Sequence, residues 1–158
     1  MKIEDILNLT NGTLATKPKI NAIEGVTLYA SKVERGDLFI SNEQSEINRA
    51  IEEGAYAIIY DEDEICTNDN EIAWIKVDSI YEAAFRIVRY VILSKEAEFF
   101  YLTPHEMSFV KMIVTQKSNI VLLSDDWKKA FEQIVNSEGR LYVGAQSDIM
   151  KKIQPDIK

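Results

Sequence analysis

The stretch that decides the fold is ASKVERGDLFIS at residues 30–41, followed by AIEEGAYAII at residues 50–59. The first segment predicts a strand, a tight turn built on Gly36-Asp37 and a second strand, because glycine and aspartate favour turns between apolar runs. The second segment predicts a helix that ends at Gly54, where glycine fits the left-handed position, and then another strand. This order of elements predicts an α/β fold.

Other signals predict where helices, strands and loops lie in the rest of the first 95 residues. Asn11-Gly12 predicts the end of a short first helix. Ser41, three residues before Gln44, predicts the N-cap of a helix that runs to about Glu53. The acidic stretch 61–71 predicts an exposed loop. Together these signals predict strands near 36–40, 56–60 and 72–77 and helices near 43–53 and 80–94.

The second part of the chain alternates short apolar segments with helix-start signals. Thr103-Pro104-His105-Glu106 is a capping box with proline at the first helical position, and Ser124 or Asp125 predicts the start of a later helix. Such alternation predicts parallel strands joined by right-handed crossovers. We therefore expect a first domain at 1–95 with a mixed sheet and a small βαβαβ module at 96–158, packed closely on it.

Composition excludes several classes of function. The 158 residues carry a net charge of −8, from 18 basic and 26 acidic side chains, which disfavours binding to nucleic acid and to anionic membranes. The sequence contains no apolar run of about 20 residues that would span a bilayer. With Cys66 as its one cysteine and His105 as its one histidine, it predicts neither a disulfide nor a Cys/His metal site. We expect a cytoplasmic protein without a metal or cofactor.

Several segments match one family in order. Ser31, Gly36-Asp37-Leu38-Phe39, Ala50 to Ile59 and Val77 to Ala83 resemble the Mur ligases, the ATP-dependent enzymes that add amino acids to UDP-linked muramic-acid precursors of bacterial peptidoglycan. The resemblance covers about residues 25–95. It implies the fold of the Mur-ligase N-terminal domain and a role in cell-wall synthesis.

The resemblance also implies a substrate site. In the family this domain holds the UDP part of the precursor beside a Ser-Arg pair, and here Ser31 is kept while Lys32 replaces the arginine. It therefore implies that a diphosphate lies near Ser31 and Lys32, against the turn Arg35-Gly36-Asp37. The family's Asp-Gly-His loop, which borders the nucleotide, is missing here. The alternative is that Ser31 and Lys32 only solvate an exposed strand end.

The ATP-binding loop of the family is absent. Where a Mur ligase has Gly-Thr-x-Gly-Lys-Thr after a strand, this chain has Pro104 to Ser108, without glycine or lysine. Too few residues follow for the family's ATPase and C-terminal domains. We therefore expect no catalytic residues. The expected function is a pseudoenzyme that binds a UDP-muramoyl precursor, another UDP-sugar or a cell-wall-synthesis protein; the alternative is an interaction module that has lost nucleotide binding.

Overall fold

A computed structural model describes residues 1–114, 119–145, 147 and 151–152. The chain divides into two compact units, residues 1–87 and 88–158, and the division falls within the long helix α3, Ile80–Ser94. From the sequence, the first domain was expected to extend to residue 95, just beyond this helix. No helix among the described residues combines the length and apolarity needed to cross a membrane.

The first unit contains a five-stranded mixed sheet. Its elements before α3 are α1 (Ile3–Thr10), β1 (Thr13–Leu14), β2 (Val26–Thr27), a 3₁₀ helix (Ala30–Lys32), β3 (Leu38–Ile40), α2 (Gln44–Glu52), β4 (Ala57–Tyr60) and β5 (Ala73–Lys76). The strand order is β1-β5-β4-β3-β2, with β1 antiparallel to β5 and the other neighbours parallel. The strands predicted near 36–40, 56–60 and 72–77 and the helices predicted near 43–53 and 80–94 are therefore present, within two residues of their predicted bounds. The strand predicted just before the Gly36-Asp37 turn is wrong, because Ala30–Lys32 forms the 3₁₀ helix instead.

The central strands are apolar throughout. All residues of β3 and β4 are buried, as expected for parallel strands covered on both faces. Phe39, Ile47, Ile58 and Trp74 belong to one buried cluster that joins α2 to the sheet. The Trp74 indole N–H donates a hydrogen bond to the Asp69 carbonyl at 2.8 Å, which fixes part of the 61–71 loop.

Both predicted helix ends are present, and the residue that follows each helix is left-handed. Asn11 follows α1 with φ 54°, and Gly54 follows α2 with φ +104°. The predicted N-cap of α2 is wrong, because Glu43 occupies the cap position without a side-chain bond. Ser41 lies two residues before the cap position, and its hydroxyl instead accepts a hydrogen bond from the Glu43 N–H at 3.0 Å.

The second unit has a parallel sheet. Its elements after α3 are β6 (Glu98–Leu102), α4 (Pro104–Ile113), β7 (Ile120–Leu122), α5 (Trp127–Asn136) and β8 (Leu141–Ala145). The strand order is β6-β8-β7, so the last strand lies between the other two, and both pairs are parallel. The βαβαβ prediction is therefore confirmed.

The sequence predicted where two helices of this unit begin, and one of the two predictions is correct. The capping box of α4 is present, with both reciprocal bonds between Thr103 and Glu106. The predicted start of α5 is wrong by one or two residues, since Asp126 is the N-cap and its carboxylate accepts from the Lys129 N–H at 3.0 Å. Ser124 supports the preceding turn by accepting from the Asp126 N–H.

Candidate functional site

Two residues of the predicted site project from the 3₁₀ helix that follows β2. Ala30 and Val33, on either side of them, are buried and anchor this short helix. The Val33 N–H donates to the Ala30 carbonyl at 3.3 Å, which closes the turn. Ser31 and Lys32 are exposed. The turn therefore presents a hydroxyl and an ammonium group to solvent side by side.

The Lys32 ammonium has a defined neighbour. Its Nζ lies 5.0 Å from the centroid of the Tyr29 ring, within the range of a cation–π contact. A flexible lysine loses conformational freedom when it binds a ligand, and a ring that already restrains the side chain reduces that cost. The contact leaves the hydrogen-bonding capacity of the ammonium for a second group.

Gly36 and Asp37 lie inside the turn rather than on its surface. Gly36 has φ +98°, its N–H donates to the Gly54 carbonyl and its own carbonyl accepts from the Glu24 N–H, both at 2.9 Å. Asp37 is only 9% exposed, and its Oδ2 accepts from the Glu34 N–H at 2.9 Å. The polar groups of this turn thus bind other parts of the chain and hold β3 in place.

Arg35 points to a different environment from Lys32. Its Nε donates to the Tyr56 hydroxyl at 3.4 Å, and its side chain lines a cleft of about 400 Å³. Four acidic residues line the same cleft: Glu52, Glu53, Asp69 and Glu71. Because like charges repel, this acidic surrounding disfavours an anion beside Arg35. The structure therefore separates Arg35 from the pair Ser31 and Lys32 by its contacts.

The carboxyl ends of β3 and β4, where α/β folds commonly bind ligands, are joined by a polar network. The Asn42 amide donates to Asp61 Oδ1 at 2.6 Å, and the Asp61 N–H donates to Asn42 Oδ1 at 2.9 Å. Asp61 Oδ2 also accepts from the Ile80 N–H at 2.8 Å, at the start of α3. The chain's own carboxylate thus occupies the helix N-terminus that an anion would otherwise approach.

Lys76, at the end of β5, extends this network. Its Nζ donates to the Asp61 carbonyl and, at 2.7 Å, to the Asp63 carboxylate, and it lies 5.3 Å from the Tyr60 ring centroid. The hydrogen bond lowers the pKa of Asp63 below its usual range and raises the pKa of Lys76. Burial is the main cause that raises the pKa of Tyr60. This lysine is engaged by its neighbours.

This network was not predicted from the sequence, in which the acidic residues at 61–64 indicated only an exposed loop. One signal was available: Asn42 and Asp61 each follow a buried strand by one or two residues. Since carboxyl ends of adjacent parallel strands lie at the same sheet edge, polar residues at both positions are expected to meet.

The turn after β6 is closed by its capping box. The Glu106 N–H donates to Thr103 Oγ1 at 3.2 Å, and the Thr103 N–H donates to Glu106 Oε2 at 2.9 Å. His105 is exposed beside them. Across the described ranges, no three His, Cys, Asp or Glu side chains are grouped to hold a metal ion.

The chain is similar in fold to solved Mur ligases. The chain matches MurF from Acinetobacter baumannii with a TM-score of 0.66 and 14% identity, over 91% of this chain and 35% of that one. It matches the MurF ligase from Thermotoga maritima, in complex with ADP, with a TM-score of 0.63 and 16% identity, over 83% of this chain and 35% of that one. The chain has a Mur-ligase-like fold.

The structural match covers only part of each ligase. A second A. baumannii structure, the UDP-N-acetylmuramoylalanyl-D-glutamyl-2,6-diaminopimelate–D-alanyl-D-alanyl ligase, matches with a TM-score of 0.66 and 14% identity over 97% of this chain and 39% of that one. The chain thus spans less than two fifths of the length of these ligases. No protein-family model matches the sequence, and no curated protein is similar to it. The Mur-ligase-like relationship is therefore one of fold.

Proposed function

We propose that this chain is a non-catalytic Mur-ligase-like protein that binds a UDP-linked peptidoglycan precursor at the 3₁₀ helix Ala30–Lys32. The observation that carries the proposal is the exposure of Ser31 and Lys32 together on this anchored turn, in a chain with the Mur-ligase-like fold. The solved ligases that share the fold include one whose name contains a UDP-N-acetylmuramoyl substrate.

The chemistry of the two side chains suits a diphosphate. A serine hydroxyl donates one hydrogen bond to a phosphate oxygen, and an ammonium group adds a charge-assisted bond. Lysine acts as a point charge without the planar fork of arginine, so it attracts the diphosphate without fixing its orientation. The buried turn at Gly36 and Asp37 supports this edge from behind and contributes backbone rigidity rather than ligand contacts.

The absence of ligase chemistry is part of the proposal. The turn Thr103 to Ser108 follows a strand and opens a helix, as a phosphate-binding loop does, but contains neither glycine nor lysine. The N–H groups of Thr103 and Glu106 each donate to the other residue's side chain. The Glu106 carboxylate also repels phosphate. We infer that binding, without ATP-dependent transfer, is the activity of this chain.

Calorimetric titration tests the proposal. UDP, UDP-N-acetylglucosamine and a UDP-muramoyl peptide are each titrated into the purified chain, with uridine as the control that lacks phosphate. We expect binding of the diphosphate compounds and much weaker binding of uridine, since the contacts are made to phosphate. Lack of binding by all three diphosphates would reject the proposal.

A second candidate is an interaction module that has kept the fold and lost its nucleotide. The observation that favours it is the placement of two predicted site residues: Asp37 is turned inward, and Arg35 lies among carboxylates. The chain would then recognise a protein partner, of which a component of cell-wall synthesis is the kind that the fold suggests. The same titrations separate the candidates, because an interaction module leaves uridine nucleotides unbound.

A further inference from the structure

A second cleft in the first unit lies away from the candidate nucleotide site. It has a volume of about 740 Å³ and is formed by α1, by β1 and by the segment at residues 16–22. Backbone hydrogen bonds of 2.9 Å hold its walls in place: the Ile3 N–H donates to the Asn21 carbonyl, which joins two of the walls, and the Ala15 N–H donates to the Trp74 carbonyl in β5. The cleft is therefore preformed rather than created by a ligand.

The lining has an apolar part, here called the floor, and two exposed lysines, here called the rim. Leu7, Leu14, Pro18 and Ile20 supply apolar surface. Lys2 and Lys17 are exposed and line the cleft, against a single acidic residue, Glu4.

This local charge is opposite to that of the surrounding unit. Acidic side chains outnumber basic ones by about two to one in residues 1–87. In a negative unit, a cleft with more lysines than carboxylates is a place where an acidic ligand meets attraction instead of repulsion.

The cleft borders an edge of the five-stranded sheet. β1 is the last strand in the order β1-β5-β4-β3-β2, and both of its residues are exposed. An edge strand offers backbone N–H and C=O groups to an added extended segment. Leu14 belongs to this strand and also lines the cleft, so a segment lying along β1 places alternate side chains over the apolar floor.

We propose that this cleft docks an extended, acidic segment of a partner polypeptide, with an apolar side chain on the floor and flanking carboxylates on Lys2 and Lys17. The inference does not depend on nucleotide binding at Ser31 and Lys32, because no residue of that site lines the cleft. No aromatic side chain among the described residues lines it either, which removes the stacking surface that a nucleotide base would use.

Two blocked synthetic peptides test the charge preference. One has the alternating sequence Glu-Leu-Asp-Val-Glu-Leu-Asp, and the other has lysine at every acidic position. Titrated into the ¹⁵N-labelled chain, the acidic peptide is expected to shift the amide signals of Leu14, Thr16 and Lys17, and the basic peptide to leave them unchanged. The dissociation constant of the acidic peptide should rise with salt, since exposed charges are screened.

Charge reversal at the rim provides the matched variants. The double variant Lys2→Glu/Lys17→Glu is expected to weaken binding of the acidic peptide by at least about tenfold, because attraction becomes repulsion. The control Lys111→Glu/Lys129→Glu makes the same change of charge on α4 and α5 and should leave affinity within about twofold. Leu14→Ser removes apolar surface at an exposed position and should also weaken binding while the chain stays folded.

Four results would overturn the proposal: equal binding of both peptides, no binding of the acidic one at millimolar concentration, equal loss in the control double variant, or signal shifts confined to residues outside the cleft. Vesicles of phosphatidylglycerol and titration with inorganic phosphate complete the test. Cleft shifts with either of them, and none with the acidic peptide, would assign the cleft to a lipid surface or to a small anion.

Discussion

Asn42 and Asp61 exchange two hydrogen bonds across the carboxyl ends of β3 and β4. The Asn42 amide donates to Asp61 Oδ1 at 2.6 Å, and the Asp61 N–H donates back to Asn42 Oδ1 at 2.9 Å. Since Asp61 Oδ2 also accepts from the Ile80 N–H, one carboxylate joins two strands to the start of α3. A position open to ligands in many α/β proteins is here part of the scaffold.

Asp61→Ala is expected to lower the free energy of unfolding by about 2–3 kcal/mol, since it removes two charge-assisted hydrogen bonds, one of them to the N-terminus of a helix. Urea denaturation followed by circular dichroism measures the change. Glu62→Ala, at the exposed neighbouring position, is the control and should stay within about 0.5 kcal/mol of the parent. Equal stability of both variants would mean that the network contributes nothing.

Gly36→Ala is expected to destabilise the chain by about 1–3 kcal/mol, because an alanine is strained at φ +98°. Its Cβ would also lie 2.7 Å from Glu24 Cγ. Denaturation of Gly36→Ala alone and together with Glu24→Ala separates the two causes. The second change should recover part of the loss by removing the clash, and the strain should remain. Full recovery of stability in the double variant would show that the positive φ of residue 36 does not contribute to the loss.

The ion pair of Asp63 and Lys76 predicts a pH dependence. The lowered pKa of Asp63 means that its contribution to stability is present above the ordinary aspartate pKa and is lost as pH falls through the lowered value. The raised pKa of Lys76 means that the contribution is present below the ordinary lysine pKa and is lost as pH rises through the raised value. The ion pair therefore stabilises the fold at pH values between the lowered pKa of Asp63 and the raised pKa of Lys76.

Carboxyl NMR titration measures the pKa of Asp63 directly. In Lys76→Met the pKa should rise toward its ordinary value, because the lysine hydrogen bond is the main cause of the shift. An unchanged pKa would contradict the ion pair. Asp63→Asn is expected to lose less stability than the parent when the pH is lowered from 6 to 3, as followed by thermal unfolding.

Lys32→Ala is expected to weaken UDP binding roughly 5- to 150-fold, the equivalent of about 1–3 kcal/mol for a charged hydrogen bond. Ser31→Ala should weaken it less, since a neutral hydroxyl contributes about 0.5–1.5 kcal/mol. Calorimetry measures both, with Lys19→Ala as a matched control at another exposed lysine. Unchanged affinity in both site variants would place the nucleotide elsewhere on the chain.

ATP is not expected to bind in the micromolar range in the presence of Mg²⁺. The capping box between Thr103 and Glu106 occupies two of the N–H groups at this helix start. Glu106→Gln removes the negative charge and should not create ATP binding, because no glycine or lysine is present in the turn. Titration of the parent and the variant with Mg²⁺–ATP measures this, and micromolar affinity in the parent would refute it.

Features that depend on near neighbours in sequence were predictable. Gly54 was placed correctly as the end of α2, and the capping box of Thr103 and Glu106 was found, because each requires only residues within about one helical turn. The errors at Ser41 and at Ser124 or Asp125 have the same origin: several hydroxyl or carboxylate residues stand close together, and local spacing alone does not choose among them.

By itself the sequence determined the α/β alternation, the turn at Gly36 and Asp37 and the resemblance to a Mur-ligase fold, since apolar periodicity and turn chemistry are properties of short segments. Only the tertiary structure decided that Asp37 is buried, that Arg35 faces carboxylates and that Asn42 meets Asp61. The physical reason is register: residues that are distant in sequence become neighbours when parallel strands align, and their spacing in the sequence carries no record of that alignment.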